Sequence, residues 1–426
     1  MHSSGCSTKS KSESNMPLPI TLADIQAARE RIAGGVEYTP CPHSIPLSHL
    51  AGCDVYCKLD LFQRTGSFKE RGARNALLLL SDDEKRRGVI AASAGNHAQA
   101  LAYHGGLLGV PTTVVMPRFA PLVKQMNCRR FGARVILHGD SFAEAKAKAD
   151  EIRECDGLVY VHGYDDPAII AGQGTVGLEI LEQVPDVEAI VVPIGGAGLL
   201  AGICVAVKSL RLDVQIIGVE PASSASFTES LKAGEPVQVP PISTVADGLA
   251  VSRVGTNAFA TARHLVDRVV TVAEEHLAIS VVRLMELEKI VAEGAGAAAL
   301  AGLLSGQLPE LKGKKVVLLL CGGNIDLTIV ERLIEMALVA DGRLARFTAV
   351  ISDRPGGLAK AAQIIGASGA SIKQVDHDRA FGGPNVSMVQ TLFTIETRDA
   401  AHVEQVYAAL REAGIPVFPQ GKCSAV

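Results

Sequence analysis

The chain has 426 residues and a formal net charge of −4 at pH 7, with 48% hydrophobic and 20% charged residues. That length suits two or three domains with sizeable cores, and the scattered basic residues argue against a nucleic-acid partner. No run reaches the roughly 20 apolar residues of a membrane span. The nine cysteines show no Cys-x-x-Cys pair and no zinc-like spacing, so they read as reduced thiols of a cytoplasmic protein, an organellar site staying open.

Residues 1–16 are Ser- and Lys-rich, lack an apolar core and read as a disordered tail. Thr21 is a candidate N-cap for a helix bearing Leu22, Ile25, Ala28 and Ile32, with Gly34-Gly35 as its stop. A strand at Val55–Leu59 precedes Gln63-Arg64-Thr65-Gly66-Ser67-Phe68-Lys69, which opens a helix ending near Ser81. Strands at 88–92, 112–116, 134–137 and 158–161 then alternate with helices, one beginning at 98–103 and the others at 121–131 and 141–154. A helix from about Ile170 to Val184 leads to strands at 189–193 and 214–220, with a helix at 199–210 between them. Pro236–Pro241 reads as extended, His276–Val291 as an amphipathic helix, Glu293–Ala299 as a tightly packed helix start and Lys315–Leu320 as a buried strand. This alternation predicts an α/β fold with open parallel sheets. From Phe347 the order changes to strand, helix, strand, strand, helix, strand, a ferredoxin-like βαββαβ pattern with a Gly/Pro loop at Phe381–Pro384. The domain expectation is therefore 17–338, with a smaller subdomain at about 60–163 inserted, a linker at 339–344 and a second domain at 345–420.

Four stretches carry chemistry. Lys69 follows a small-residue turn and opens an apolar helix, so its ammonium is held away from bulk water and loses its proton more readily. That setting suits a Schiff-base lysine, although a solvated Lys at a helix start is the plainer alternative. Gly195-Gly196-Ala197-Gly198-Leu199 joins a strand to a helix and suits a single phosphate, or else close helix–strand packing. Ser93-Ala94-Gly95-Asn96-His97 is a second such turn, able to hold a carboxylate or to act as an ordinary N-cap. Cys321-Gly322-Gly323-Asn324 ends a buried strand, where open α/β sheets place ligands. Together they fit one ligand bearing an aldehyde, a phosphate and a heteroaromatic ring.

These stretches, with Tyr38-Thr39-Pro40, Tyr164-Asp165-Asp166-Pro167, Gly172-Gln173-Gly174-Thr175 and Glu293-Gly294-Ala295-Gly296-Ala297, resemble the serine/threonine dehydratases, which are fold-type-II pyridoxal phosphate enzymes. The last region, with Asp353-Arg354-Pro355-Gly356-Gly357, resembles a single ACT domain, so the whole resembles the threonine dehydratase form with one such domain. The resemblance implies an L-threonine/L-serine ammonia-lyase acting by α,β-elimination, a role in isoleucine metabolism, an isoleucine or valine effector at the ACT domain, and a homodimer or homotetramer. It implies that Lys69 bonds the cofactor and moves the substrate α-proton, and that Phe68 packs on the ring. Gly195, Gly196, Ala197, Gly198 and Leu199 would hold the phosphate and Asn96 the ring hydroxyl. Ser93, Ala94, Gly95, Asn96 and His97 would hold the substrate carboxylate, and Cys321 would face the pyridine nitrogen, with Gly248 and Glu293 close by.

Three residues depart from the family's common pattern. Ala197 stands where many relatives have a third glycine, and its methyl is accommodated if φ is negative. Cys321 replaces the commoner serine and keeps a small neutral group there, which disfavours a strong electron sink and favours prompt elimination. Ala94 replaces the serine that racemases use as an acid/base, which demotes the racemase alternative. A monovalent or divalent cation stays open, with Glu220 as the weak candidate ligand, because Ser226 stands where an aspartate would be expected. The remaining alternatives are another fold-type-II reaction, such as β-replacement, and a non-catalytic amino-acid sensor.

Overall fold

The structure, a computed structural model, describes residues 18–240, 242–377 and 386–420. The tail and the Phe381–Pro384 loop lie outside the described residues. Strand β1 (Asp54–Lys58) belongs to a five-stranded sheet, but the chain leaves that sheet at once. It next builds β2 (Val89–Ala92), β3 (Thr112–Met116), β4 (Arg134–Leu137) and β5 (Val159–Tyr160), a separate parallel sheet of order β4-β3-β2-β5. It then returns with β6 (Ala189–Pro193), β7 (Gln215–Pro221), β8 (Arg268–Val272) and β9 (Lys315–Leu319), giving the parallel order β1-β9-β6-β7-β8. The central strands are apolar runs, and all five residues of β3 and of β6 are buried, as expected of strands covered on both faces.

The covering helices start where side chains cap them. Thr21 with Asp24, Ser81 with Glu84 and Ser141 with Glu144 each form a reciprocal capping box. The helix Gly294–Leu304 packs on β6, β7, β8 and β9. Its small residues are required: a Cβ on Gly296 would lie 2.0 Å from the carbonyl oxygen of Gly322. Among the described residues no helix is long and apolar enough to cross a membrane.

The C-terminal part is antiparallel. Strands β10 (Leu344–Ser352), β11 (Ser371–His377), β12 (Met388–Glu396) and β13 (Val417–Pro419) pair in the order β11-β12-β10-β13, with helices Gly357–Ala367 and Ala400–Glu412 in the connections. This is the ferredoxin-like arrangement, with Phe347 and Phe393 stacked 5.5 Å apart at its core. The helix Leu327–Ala340 runs almost to β10, leaving only Asp341–Arg343 between them. Arg283 bonds Asp341 at 2.5 Å and Glu286 at 2.7 Å, and Arg343 bonds Glu286 at 2.7 Å, so a chain of ion pairs fastens this junction to the preceding part.

Several boundaries differ from expectation. The helix predicted over His276–Val291 is α-helical only over Glu274–Arg283 and closes in a π turn, Leu284–Glu288. Lys289, at φ +60°, ends it, and residues 290–293 without regular structure lead on to Glu293 at the cleft. Residues 236–240, read as extended, join no sheet; Val239 N–H donates to the Ser252 carbonyl at 2.8 Å and Val237 N–H to Ser230 Oγ at 3.1 Å, and the Pro236 carbonyl accepts from Arg253 Nε at 3.3 Å.

Candidate active site

The two parallel sheets face each other across a cleft of about 450 Å³. Three turns enter it from strand ends: Ser93–His97 after β2, Gly195–Leu199 after β6, and Cys321 after β9. Phe68 and Lys69 enter at the start of the helix Lys69–Leu79, while Gly248 and Glu293 complete the wall. The cleft thus gathers every predicted site residue except Glu220.

The lysine turn is fastened from below. Ser67 bridges to Gly322 across the chain, and Phe68 N–H donates to the Cys321 carbonyl at 3.0 Å. Buried Glu70 accepts from Thr65 N–H and meets His104 Nε2 at 3.1 Å. Lys69 lines the cleft as a half-buried residue, and its ammonium, surrounded by protein, donates to the Gly163 carbonyl at 2.6 Å. Burial lowers its pKa from 10.5 to about 8, against the opposing pull of Cys321 and Glu293. The Phe68 ring centroid lies 5.0 Å from the same nitrogen.

The glycine turn has a geometry that suits an anion. The helix Gly198–Leu210 has no side-chain cap, so its first N–H groups are free to meet a ligand. A Cβ on Gly196 would overlap the Tyr164 ring at 2.2 Å, and one on Gly198 would meet the Tyr164 carbonyl at 2.2 Å. Glycine at both positions is therefore a packing necessity as well as a route to close approach. Ala197 sits at φ +69°, so the condition under which its methyl is accommodated without strain, a negative φ, is not met. A methyl in the left-handed region costs about 1–2 kcal/mol, partly offset in glycine by unfolded-state entropy. Ala197→Gly should therefore stabilise the protein by about 1 kcal/mol, read as a rise of about 1–2 °C in the thermal midpoint. A fall would overturn the strain assignment.

The second turn is also uncapped. Gly95 is the N-cap of the helix Asn96–Leu108 and offers no side chain. Ser93 Oγ accepts from Gly95 N–H at 3.3 Å, which shapes the turn. His97 donates from Nε2 to the Val161 carbonyl at 3.0 Å, and burial first, then nearby Lys69, lowers its pKa to about 3. The ring is neutral at any working pH, so backbone N–H groups and the Ser93 hydroxyl are what a carboxylate would find here.

Asn96 Nδ2 donates to Glu293 Oε1 at 2.6 Å, and Asn96 Oδ1 accepts from Asn324 Nδ2 at 2.9 Å. Burial pushes the Glu293 carboxyl up to about 7, with nearby Asp247 adding to the rise. Cys321 Sγ lies 3.7 Å from the Ala295 carbonyl, and burial raises its pKa, so it stays a neutral thiol. Tyr164, Lys124 and Asp247 also line the cleft, and the Lys124–Asp247 ion pair spans 3.0 Å at its mouth. Sequence reasoning gave them no role. Lys124 and Asp247 are 123 residues apart, and only folding makes them neighbours.

Glu220 lies elsewhere. Its Oε1 accepts from Phe227 N–H at 2.7 Å, and Oε2 accepts from the Thr228 N–H at 2.9 Å and hydroxyl at 2.7 Å. It tethers the start of the helix Ser226–Ala233. Among the described residues no group of three or more His, Cys, Asp or Glu side chains could hold a metal ion.

An enclosed amine of lowered pKa, an uncapped glycine turn and a neutral buried thiol fit an aldehyde-bearing, phosphorylated heteroaromatic ring. Comparison with known proteins agrees. The family model described as "Pyridoxal-phosphate dependent enzyme" matches residues 32–322. An L-threonine ammonia-lyase of Thermotoga maritima is 42% identical over 398 residues, covering 93% of this chain and 99% of that protein. The processed form of threonine deaminase isoform 2 from Solanum lycopersicum superposes with a TM-score of 0.71 at 37% identity, over 75% of this chain and 87% of that one. Serine racemase from Dictyostelium discoideum gives 0.69 at 35% identity, over 72% of this chain and all of that one.

Proposed function

The chain belongs to the pyridoxal-phosphate dependent enzymes, and from that premise we propose that it is an L-threonine/L-serine ammonia-lyase. It converts threonine to 2-oxobutanoate, or serine to pyruvate, with release of ammonia. The observation that carries this reading is the Lys69 amine, enclosed, with its pKa near 8, and placed in one cleft with two uncapped helix starts.

Bound pyridoxal phosphate supplies a carbonyl for amines and an electron sink for the substrate α-carbon. The chain's own residues do the rest. The N–H groups at Gly195–Leu199 take the phosphate, and Asn96 offers its spare N–H to the ring hydroxyl. Cys321 presents a neutral thiol, which would face the pyridine nitrogen in place of a carboxylate and would keep the sink weak. Lys69 Nζ would take the α-proton, and the β-hydroxyl would leave as water, the proton it takes up balancing the one removed from the α-carbon. The enamine product hydrolyses to the 2-oxo acid and ammonia. Serine racemase shares the fold, but Ala94 in this cleft has no atom that exchanges a proton.

The finer assignments belong to the same proposal. The ACT-like C-terminal unit takes an amino-acid effector, with isoleucine as the first choice, and its ion-paired junction gives binding a route to the cleft. The enzyme is a cytoplasmic homo-oligomer. The seven cysteines among the described residues are free, and Leu327, Ile329, Met336 and Val339 leave apolar surface exposed along one helix. A coupled 2-oxo acid assay with threonine and serine, with and without isoleucine, tests the whole. Product from both substrates, with rates lowered by isoleucine, is expected. Chiral analysis of recovered serine separates elimination from racemisation, and no 2-oxo acid from either substrate would overturn the assignment.

A further inference from the structure

Asn324 closes the same cleft from below, although it does not line it. Its Nδ2 makes two donations, to the Thr65 carbonyl at 2.7 Å and to Asn96 Oδ1 at 2.9 Å. Both hydrogens of that nitrogen are thereby used, and the Asn324 amide has one orientation only. The Asn96 amide is fixed in turn. Its oxygen faces a donor, and its nitrogen donates to Glu293 Oε1 at 2.6 Å. A flip would set NH2 against NH2 and oxygen against carboxyl. The space is shaped for this chain of contacts: a Cβ on Gly322 would lie 2.2 Å from Glu293 Oε1 and 3.2 Å from Asn96 Nδ2. Helix, loop and strand end, 197 and 228 residues apart in sequence, thus meet in one polar unit.

We propose that Asn324 and Glu293 are positioning residues, which lock the Asn96 carboxamide so that its remaining N–H faces the cofactor's ring hydroxyl and holds that hydroxyl ionised. The proposal rests on the pyridoxal phosphate reading above. Thr65, which anchors Asn324, lies four residues before Lys69, so the same contacts tie the orientation of Asn96 to the lysine turn. Glu293 is the titrating end. The charged and titratable groups that face it are Asp247 from the loop after Val245, Lys124 from the helix Leu122–Arg130, Lys69, and Cys321 at the end of β9. Burial and Asp247 bring its proton equilibrium to about 7, inside the working range.

The test uses full-length holoenzyme and reads the cofactor's own absorbance. Asn324→Asp is isosteric but replaces both donors with acceptors. It should force the Asn96 amide to turn, release the cofactor at least tenfold faster on dilution, and shift absorbance from the visible band toward the near ultraviolet. Glu293→Gln still accepts from Asn96, so cofactor release should stay within about threefold of wild type, while the change of the visible band with pH near 7 should vanish. A merely structural role would move neither the band nor its pH profile. Wild-type release and spectrum in Asn324→Asp would overturn the proposal, as would a wild-type pH profile in Glu293→Gln. If Asn324→Asp does not fold, the Glu293→Gln profile decides. A wild-type protein that develops no visible band with pyridoxal phosphate would sink the cofactor reading itself, a different outcome from unaltered variants.

Discussion

Lys69→Ala should abolish 2-oxo acid formation, with a loss of at least about a thousandfold, and should leave the purified protein without the absorbance of a covalently held cofactor. The reason lies in one nitrogen that has to do two things, bond the cofactor and move the substrate α-proton. No neighbour can substitute. His97 is neutral and committed to the Val161 carbonyl, Cys321 is a thiol held protonated by burial, and Lys124 is paired with Asp247. Lys69→Arg sharpens the test, because guanidinium keeps a donor for the Gly163 carbonyl but does not deprotonate in a protein. It should be as inactive as the alanine variant. The lowered pKa adds a rate signature. Burial disfavours the charged amine, so the neutral form accumulates as pH rises through about 8, not 10.5. Covalent capture of pyridoxal phosphate by stripped wild-type protein should accelerate through that lower value. Turnover retained in either variant, or a capture profile inflecting near 10.5, would remove Lys69 from its assigned role.

Much of this site was legible in the sequence because strands covered on both faces leave a plain signature. Thr112–Met116 and Ala189–Pro193 are bounded correctly by such runs, and the turns at the ends of strands of this kind are where ligands gather. Elements held by other forces were missed. The helix Asp82–Arg87 has no buried residue and rests on its capping box and charges, so it has no apolar period to read. The helix Thr256–Ala262 does bury Ala258, Phe259 and Ala262, but at seven residues it is too short to show a period, and its start is fixed by the distant Asp165, whose carboxylate accepts from Thr256 and Ala258 N–H. The left-handed Ala197 was invisible because alanine carries no signal for positive φ. The orientation of Asn96 was hidden for another reason: its partners are polar residues far along the chain, and only the assembled sheets bring them within reach.

The largest effect on stability should come from another network of that hidden kind. Arg71, two residues past Lys69, is fully buried. It bonds Asp60 through Nε at 2.9 Å and Nη2 at 2.7 Å, and Glu179 through Nη1 at 2.5 Å and Nη2 at 2.9 Å. Lys58, also fully buried, bonds Glu179 at 2.6 Å, the Thr39 carbonyl at 2.6 Å and Gln183 at 2.9 Å. Two cations and two carboxylates thus balance, joining the end of β1 to the Lys69 helix and to the helix Pro167–Gln183. Arg71→Met keeps the volume but leaves two carboxylates facing one lysine. Removing one partner from a buried charge network costs about 3–5 kcal/mol, equivalent to a thermal midpoint lower by roughly 4–8 °C for a cooperative unit of this size. The pH dependence carries its own sign. Burial alone would raise the Asp60 pKa, but the charge and hydrogen bonds of Arg71 prevail and hold it below 3.8. In wild type this group's stabilisation is complete above that value and is lost only as pH falls through the lower folded value. In the variant burial prevails, the folded pKa rises above the unfolded one, and protonation relieves the uncompensated charge. The deficit relative to wild type should therefore shrink as pH is lowered from 7 to 5. A midpoint unchanged at pH 7, or a deficit that widens on acidification, would show that these charges are not what holds the Lys69 helix in place.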